Sequence, residues 1–197
     1  MTYEAKNFDG LLGAGGLSDT LLKNHFKLYQ GYVANTNKVA DMLSSMAKEG
    51  KTQDPQYAEL KRRFGWEFDG MRLHELYFGN LKKGGKMAGA GSALAKKIKE
   101  SFGSHDAWEK DFRSSGAMRG IGWVVLYYDH IGKRLFNCWI NEHDAGHLSG
   151  CAPILVMDVF EHAFMTDYGL NRADYIAAFF KNIDWAEAES RFDEASA

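Results

Sequence analysis

Asp158 and His162 stand four residues apart, so on a helical turn they project from one face. A carboxylate and an imidazole placed that way can share a metal ion. Two further histidines, His25 and His74, fall on amphipathic stretches upstream. Imidazoles with a single carboxylate suit a redox or Lewis-acid metal better than a closed structural zinc site, which draws on thiolates. The competing reading makes Asp158 and His162 an ordinary helix-start pair, the Asp capping and the His packed. Tyr29 and Tyr32 share the face of His25, which makes that stretch more polar than plain core.

The elements that must position these groups follow from periodicity. Ser18 can cap a helix running to about Lys48, with Gly50 as its stop. Leu22, His25, Phe26, Tyr29, Tyr32, Val33, Val39, Ala40, Leu43 and Met46 form its inner stripe. Asp54-Pro55 opens a second helix to about Leu81, with Tyr57, Leu60, Phe64, Met71, His74, Tyr77 or Phe78, and Leu81 inward. Gly65 and Gly70 each cost about 1 kcal/mol against Ala inside a helix, so a kink or a need for space is expected. Residues 83–91, KGGKMAGAG, read as a flexible joint. Two short helices follow, one lined by Leu94, Ile98 and Phe102, the next capped by Ser104 with Trp108 and Phe112 inward.

From Gly122 the period changes. Residues 123–128 and 135–140 are β-rich runs joined by a hairpin signal, and 153–157 is a third strand delivering Asp158 at its end. Helices are expected at about 159–167 and 172–181. The fold class is α+β: an N-terminal helical hairpin, residues 1–83, then a C-terminal α/β domain, residues 92–197, with a small three-stranded antiparallel sheet.

Composition sets the outer bounds. At 197 residues the chain can bury a sizeable core, and 45% hydrophobic with 14% aromatic content speaks against disorder. The longest apolar runs fall short of a bilayer span, and no basic region followed by an apolar core opens the chain. A soluble protein without an export signal is therefore expected, with no membrane partner. A net charge of −2 argues against a nucleic-acid surface. Cys138 and Cys151 stand apart in apolar sequence, and we read them as buried thiols in a reducing, cytoplasmic compartment rather than as a disulfide or ligands.

Asp158-Val-Phe-Glu-His162-Ala-Phe, then Asp167-Tyr168 and Asn171-Arg-Ala-Asp-Tyr175 through Asn182-Ile-Asp-Trp185, closely resembles the signature of iron/manganese superoxide dismutases. The family's usual D-V-W-E-H-A-Y-Y reads D-V-F-E-H-A-F-M here. Further matches are Leu17-Ser18, His25, Gly31-Tyr32-Val33, Arg72-Leu73-His74 and Gly122-Trp123, so the likeness spans nearly the whole chain. It implies a helical hairpin and an α/β domain holding one Fe or Mn ion per subunit between them. The implied ligands are His25, His74, Asp158 and His162, with solvent in a fifth position. Trp123 and Phe160 would wall the pocket, and Glu161 would reach the partner chain in a homodimer, with higher assembly open.

A hydrogen bond to the bound solvent sets its basicity and the metal's potential in such chemistry. Members of the family use a Gln four residues before the second His, which here is Gly70, or one in the sheet region. This chain reads Asn141-Glu142-His143-Asp144 there, similar to members with His in that role, so the resemblance assigns it to His143, with His147 structural or supporting. The span from His25 to Tyr32 is one residue shorter than usual, and Tyr29 stands where the family has His. Either Tyr29 or Tyr32 can cover the funnel, and the neighbours of Tyr32 favour it. Met165 replaces a Tyr that lines the mouth.

The resemblance implies disproportionation of superoxide, with Lys27 and Arg172 as candidates for steering the anion and iron slightly preferred over manganese. The alternatives are a metal-binding relative without fast turnover, and an iron dioxygenase, which usually uses two His and one carboxylate.

Overall fold

The Ser18 side-chain oxygen accepts the Leu21 N–H at 3.1 Å and starts helix α1, Asp19–Lys48. The computed structural model describes residues 2–85 and 91–197. Helix α2, Pro55–Gly79, carries its proline in the first turn and runs unbroken through Gly65 and Gly70. Space, not a kink, is the reason at Gly70: a Cβ there would lie 2.6 Å from Cδ1 of Tyr32. At Gly65 a Cβ would meet nothing within 4 Å, and no reason for that glycine emerges.

α1 and α2 pack as a hairpin whose two ends differ. Tyr57, Leu60 and Phe64, expected inside, are only half-buried in the half of α2 nearer the connecting turn. Toward the far end Met71, Leu73, His74, Tyr77 and Phe78 are all buried, and so are Glu67 and Glu75, which the periodicity had not marked. Asn80 then ties the hairpin to the sheet. Its side-chain oxygen accepts the Val156 N–H at 2.8 Å and its amide donates to the Val156 carbonyl at 3.1 Å. Of the expected joint at 83–91, residues 86–90 lie outside the described residues.

Helices α3, Ala93–Phe102, and α4, His105–Gly116, are capped by Ser92 and Ser104. Strands β1, Gly122–Asp129, β2, Arg134–Asn141, and β3, Cys151–Asp158, form a sheet in the order β2-β1-β3, with both pairings antiparallel. The first seven residues of β1 are buried, as befits a central strand covered on both faces. Pro153 is tolerated because β3 is an edge strand. Cys138 and Cys151 lie on β2 and β3 with β1 between them; both are free and half-buried rather than buried, because each occupies an outer strand.

After β3 the structure departs from the expected helix over 159–167. The Asp158 carboxylate accepts the Phe160 N–H at 2.8 Å, a local bond that competes with helix formation. Phe160 is extended, Glu161–Ala163 is a single 3-10 turn, and only Met165–Tyr168, α5, is helical. α6, Arg172–Lys181, follows as expected; α7, Trp185–Ser196, was not foreseen and buries Trp185, Ala188 and Phe192. No helix among the described residues is long and apolar enough to cross a membrane.

Candidate metal centre

Four elements converge on one carboxylate oxygen. α1 supplies His25, α2 His74, the end of β3 Asp158, and the 3-10 turn His162. The Nε2 atoms of His25, His162 and His74 lie 3.1, 3.0 and 3.7 Å from Asp158 Oδ2. One ligand atom from each residue falls within 4.8 Å of all the others. Asp158 and His162 meet through a strand end and an extended Phe160, not on the helical turn expected from their spacing. The capping reading also holds in part: Asp158 Oδ1 caps Phe160 while Oδ2 faces the histidines.

The protonation pattern tests whether a cation fits. His74 Nδ1–H donates to the Gly70 carbonyl at 2.5 Å, so its Nε2 carries a lone pair. That Nε2 is buried without any hydrogen-bond partner, a costly state unless a ligand takes the lone pair. Without a cation, the other two Nε2 atoms must share a single carboxylate oxygen. With one, the three Nε2 atoms and Oδ2 find their partner together, although His25 Nδ1, also buried, has no hydrogen-bond partner among the described residues. Burial holds the His25 and His74 imidazoles below their usual range, outweighing the nearby carboxylate, which keeps them neutral and able to ligate. Burial alone would raise the Asp158 carboxyl, but the charge and hydrogen bond of His162, and the bond from His25, carry it far down.

Surrounding bonds hold the four candidate ligands in place. The Tyr175 hydroxyl donates to the Asp158 backbone carbonyl at 2.6 Å, with the Tyr77 hydroxyl 3.1 Å away. Register puts Trp123 opposite Asp158 on the neighbouring strand, so the indole meets the cage, edge-on to His74 at 5.0 Å. Phe160 stacks on His162 at 5.2 Å and lies 6.1 Å from Trp123.

His143 occupies the turn after β2, fully buried. Trp123 Nε1–H donates to its Nδ1 at 3.1 Å. An indole only donates, so Nδ1 is the acceptor and the ring proton resides on Nε2. That Nε2–H points at the Tyr32 hydroxyl, 2.7 Å away. Burial lowers the His143 pKa to about 4, and the Tyr32 phenol is raised, first by burial and then by Asp158. Tyr29 keeps different company: its hydroxyl donates to Glu75 at 3.0 Å and accepts the Lys6 N–H at 2.9 Å, with its pKa pushed up to about 12 mainly by burial.

Arg172 is committed elsewhere, donating to the carbonyls of Met118 at 2.7 Å and Gly120 at 2.9 Å. Lys27 is exposed on α1. Sequence reasoning missed Trp66, whose ring lies 4.5 Å from His143 and 5.5 Å from Tyr32. Its place two turns before His74 on the inner face of α2 was the available signal. Tyr77 was read only as core, and Asn80 was not singled out.

Residues 90–191 match the family described as iron/manganese superoxide dismutases, C-terminal domain. The iron superoxide dismutase of Aquifex pyrophilus is 38% identical over 185 residues, covering 91% of this chain and 86% of that protein. Manganese superoxide dismutase 2 of Haloferax volcanii is 36% identical over 172 residues, covering 87% and 84%. The iron superoxide dismutase of Cupriavidus metallidurans is 36% identical over 185 residues, covering 91% and 90%.

Proposed function

The chain belongs to the iron/manganese superoxide dismutase family, and we propose on that premise that its three-histidine, one-aspartate centre disproportionates superoxide. The observation that carries this reading is the buried, unpartnered Nε2 of His74 facing the anionic oxygen shared by His25 and His162. His25, His74, Asp158 and His162 would hold one iron or manganese ion per subunit. When bound, that ion supplies the electron exchange by which two superoxide ions and two protons become dioxygen and hydrogen peroxide.

The chain's own residues supply position, exclusion of water and protons. Trp123 and Phe160 are buried apolar surface beside the ligands, which suits a small diatomic anion. Tyr32 is proposed as the gateway hydroxyl. Because Tyr32 Oη accepts from His143, its own proton is free to be donated toward the centre. The hydroxyl of Tyr29 is occupied by Glu75 and Lys6, which leaves it a structural part in this account. His143 holds the proton at Nε2 and is proposed to tune the centre through Tyr32. Lys27 remains a steering candidate.

Both metals occur in the names of the relatives, so the choice rests on tuning beyond the ligands, and we place iron first. A homodimer through the Glu161–His162 region is proposed as well. Met118, Met165 and Leu170 are large exposed apolar side chains around a cleft of about 600 Å³ that Glu161 also lines. A solution mass of one chain at micromolar concentration would refute it. Two free thiols fit a cytoplasmic setting.

Superoxide decay measured with separately iron-loaded and manganese-loaded protein, metal quantified in each, tests the activity. Fast catalytic decay with iron is expected. Full loading with no catalysis by either metal would leave a metal-binding relative of the family instead.

A further inference from the structure

His143 does not hold itself in place. It follows Glu142, a non-glycine residue at φ +57, in a turn closed by mutual backbone bonds between Asn141 and Ala145 at 2.8 and 3.3 Å. Trp123 and Tyr32 bond the His143 ring, and the bond that reaches its backbone from outside this turn comes from His147, whose Nε2 lies 2.7 Å from the His143 carbonyl oxygen. A carbonyl only accepts, so the His147 proton is on Nε2 and Nδ1 carries a lone pair. Tyr127 meets that lone pair with its hydroxyl at 2.7 Å. Tyr127 itself is anchored in the central strand β1, and its ring is buried. From the helical side Trp66 Nε1 donates to Glu142 at 3.4 Å, and Asp69 lies 3.8 Å from His147 Nε2.

We infer that His147, its Nε2–H fixed by the His143 carbonyl and its Nδ1 held by the Tyr127 hydroxyl, is the positioning residue that aims the His143 imidazole at Tyr32. The chain of bonds runs Tyr127 hydroxyl to His147 Nδ1, His147 Nε2–H to His143 carbonyl, then His143 Nε2–H to Tyr32. The His143 carbonyl fixes the direction of the second link, so removing the Tyr127 hydroxyl leaves His147 Nδ1 without its partner and the ring less firmly held. His147 touches neither substrate nor ligand; it acts through His143. Without it the turn's ties to β1 are the pairing of Asn141 with Gly122 at its base and the Trp123 indole on the His143 ring, neither of which holds the His143 backbone. The functional weight of the inference rests on the dismutase reading; the geometric part does not.

The Trp123 indole N–H reports on His143 directly, because it donates to His143 Nδ1. The experiment follows that indole resonance in the 15N-labelled full chain, alongside turnover and metal content of the iron-loaded protein. His147→Phe keeps a ring and deletes both bonds. The Trp123 resonance is expected to move, and turnover to fall by roughly tenfold at equal metal content, in the range for loss of a supporting partner. His147→Gln, which retains an N–H donor for the carbonyl, is expected to recover most of both. Tyr127→Phe, smaller by one oxygen, is expected to shift both in the same direction by less, and stands in where His147→Phe does not fold. An unmoved Trp123 resonance in His147→Phe, or a moved one with unchanged turnover, overturns the inference. A wild-type chain without turnover overturns the dismutase reading instead, while the resonance still decides whether His147 positions His143.

Discussion

Two neighbouring regions contain buried histidines and treat them oppositely. In the cage, His25, His74 and His162 crowd a single carboxylate oxygen, and two buried ring nitrogens, His74 Nε2 and His25 Nδ1, have no hydrogen-bond partner among the described residues. In the turn after β2, His143 has both ring nitrogens satisfied, by Trp123 and Tyr32, and its carbonyl by His147. Burial depresses His25 and His74 in the cage and His143 in the turn. The difference lies in where the lone pairs go. An imidazole left with an unclaimed lone pair beside an anion is built to ligate, whereas one whose nitrogens are claimed by protein is built to hold a proton in a fixed place.

The largest break in that contrast comes from the cage. His74→Ala should lower metal affinity by more than about 100-fold, beyond what loss of a supporting partner costs. Metal content after dialysis checks it, and normal occupancy would remove His74 from the ligands. The same substitution at His143 should leave metal content intact and lower turnover about 10- to 100-fold with a changed reduction potential. Loss of metal from His143→Ala would erase the distinction between the regions.

Acidification sharpens the contrast from another side. His143 has a folded pKa near 4, below the ordinary value of 6.5, because burial penalises its charged form. In the unfolded chain it takes up a proton first as pH falls. Its contribution to stability is therefore present above pH 6.5 and is lost as pH falls through 6.5 toward 4. Asp158, Asp144, His162 and Arg63 are the charges that also act on it. Urea unfolding of wild type and His143→Phe across that window checks the sign: the variant should show the shallower decline.

The smallest effects concern two glycines inside α2, Gly65 and Gly70. Gly70→Ala would press a methyl group into the Tyr32 ring, so the ~1 kcal/mol gain in helix propensity should be outweighed by overpacking of about 1–3 kcal/mol. Turnover should fall with it, because Tyr32 moves against His143. Gly65→Ala meets nothing within 4 Å and should stabilise by about 0.5–1 kcal/mol with turnover unchanged. Equal effects at the two sites would show that Tyr32 is not held where its ring now lies.

Much of this was legible in the residues. Ser18, Pro55 and Ser104 marked helix starts by chemistry that acts over three or four residues, and the strands announced themselves by a change of period. The signature around Asp158 located the cage. What escaped depends on contacts distant in sequence or on a local bond outcompeting a helix. The Phe160 N–H bond to Asp158 dissolved the expected helix at 159–167. Glu75 is buried because Arg72, Tyr29 and Lys6 gather on it, which no spacing reveals. Tyr127 and His147 lie 20 residues apart, and only strand register and the turn bring them together. α7 is mostly polar, and its three buried residues make too thin a stripe to stand out.

The most direct test of the account is anomalous diffraction from crystals of the iron-loaded protein at the iron edge. The account predicts one strong peak per chain at about 2.0–2.2 Å from Nε2 of His25, His74 and His162 and from Asp158 Oδ2, distances ordinary for imidazole and carboxylate ligation. His143 should remain hydrogen-bonded to Tyr32 and Trp123, with no bond to the metal. A peak ligated by His143, or one that leaves His74 Nε2 without a partner, would contradict it.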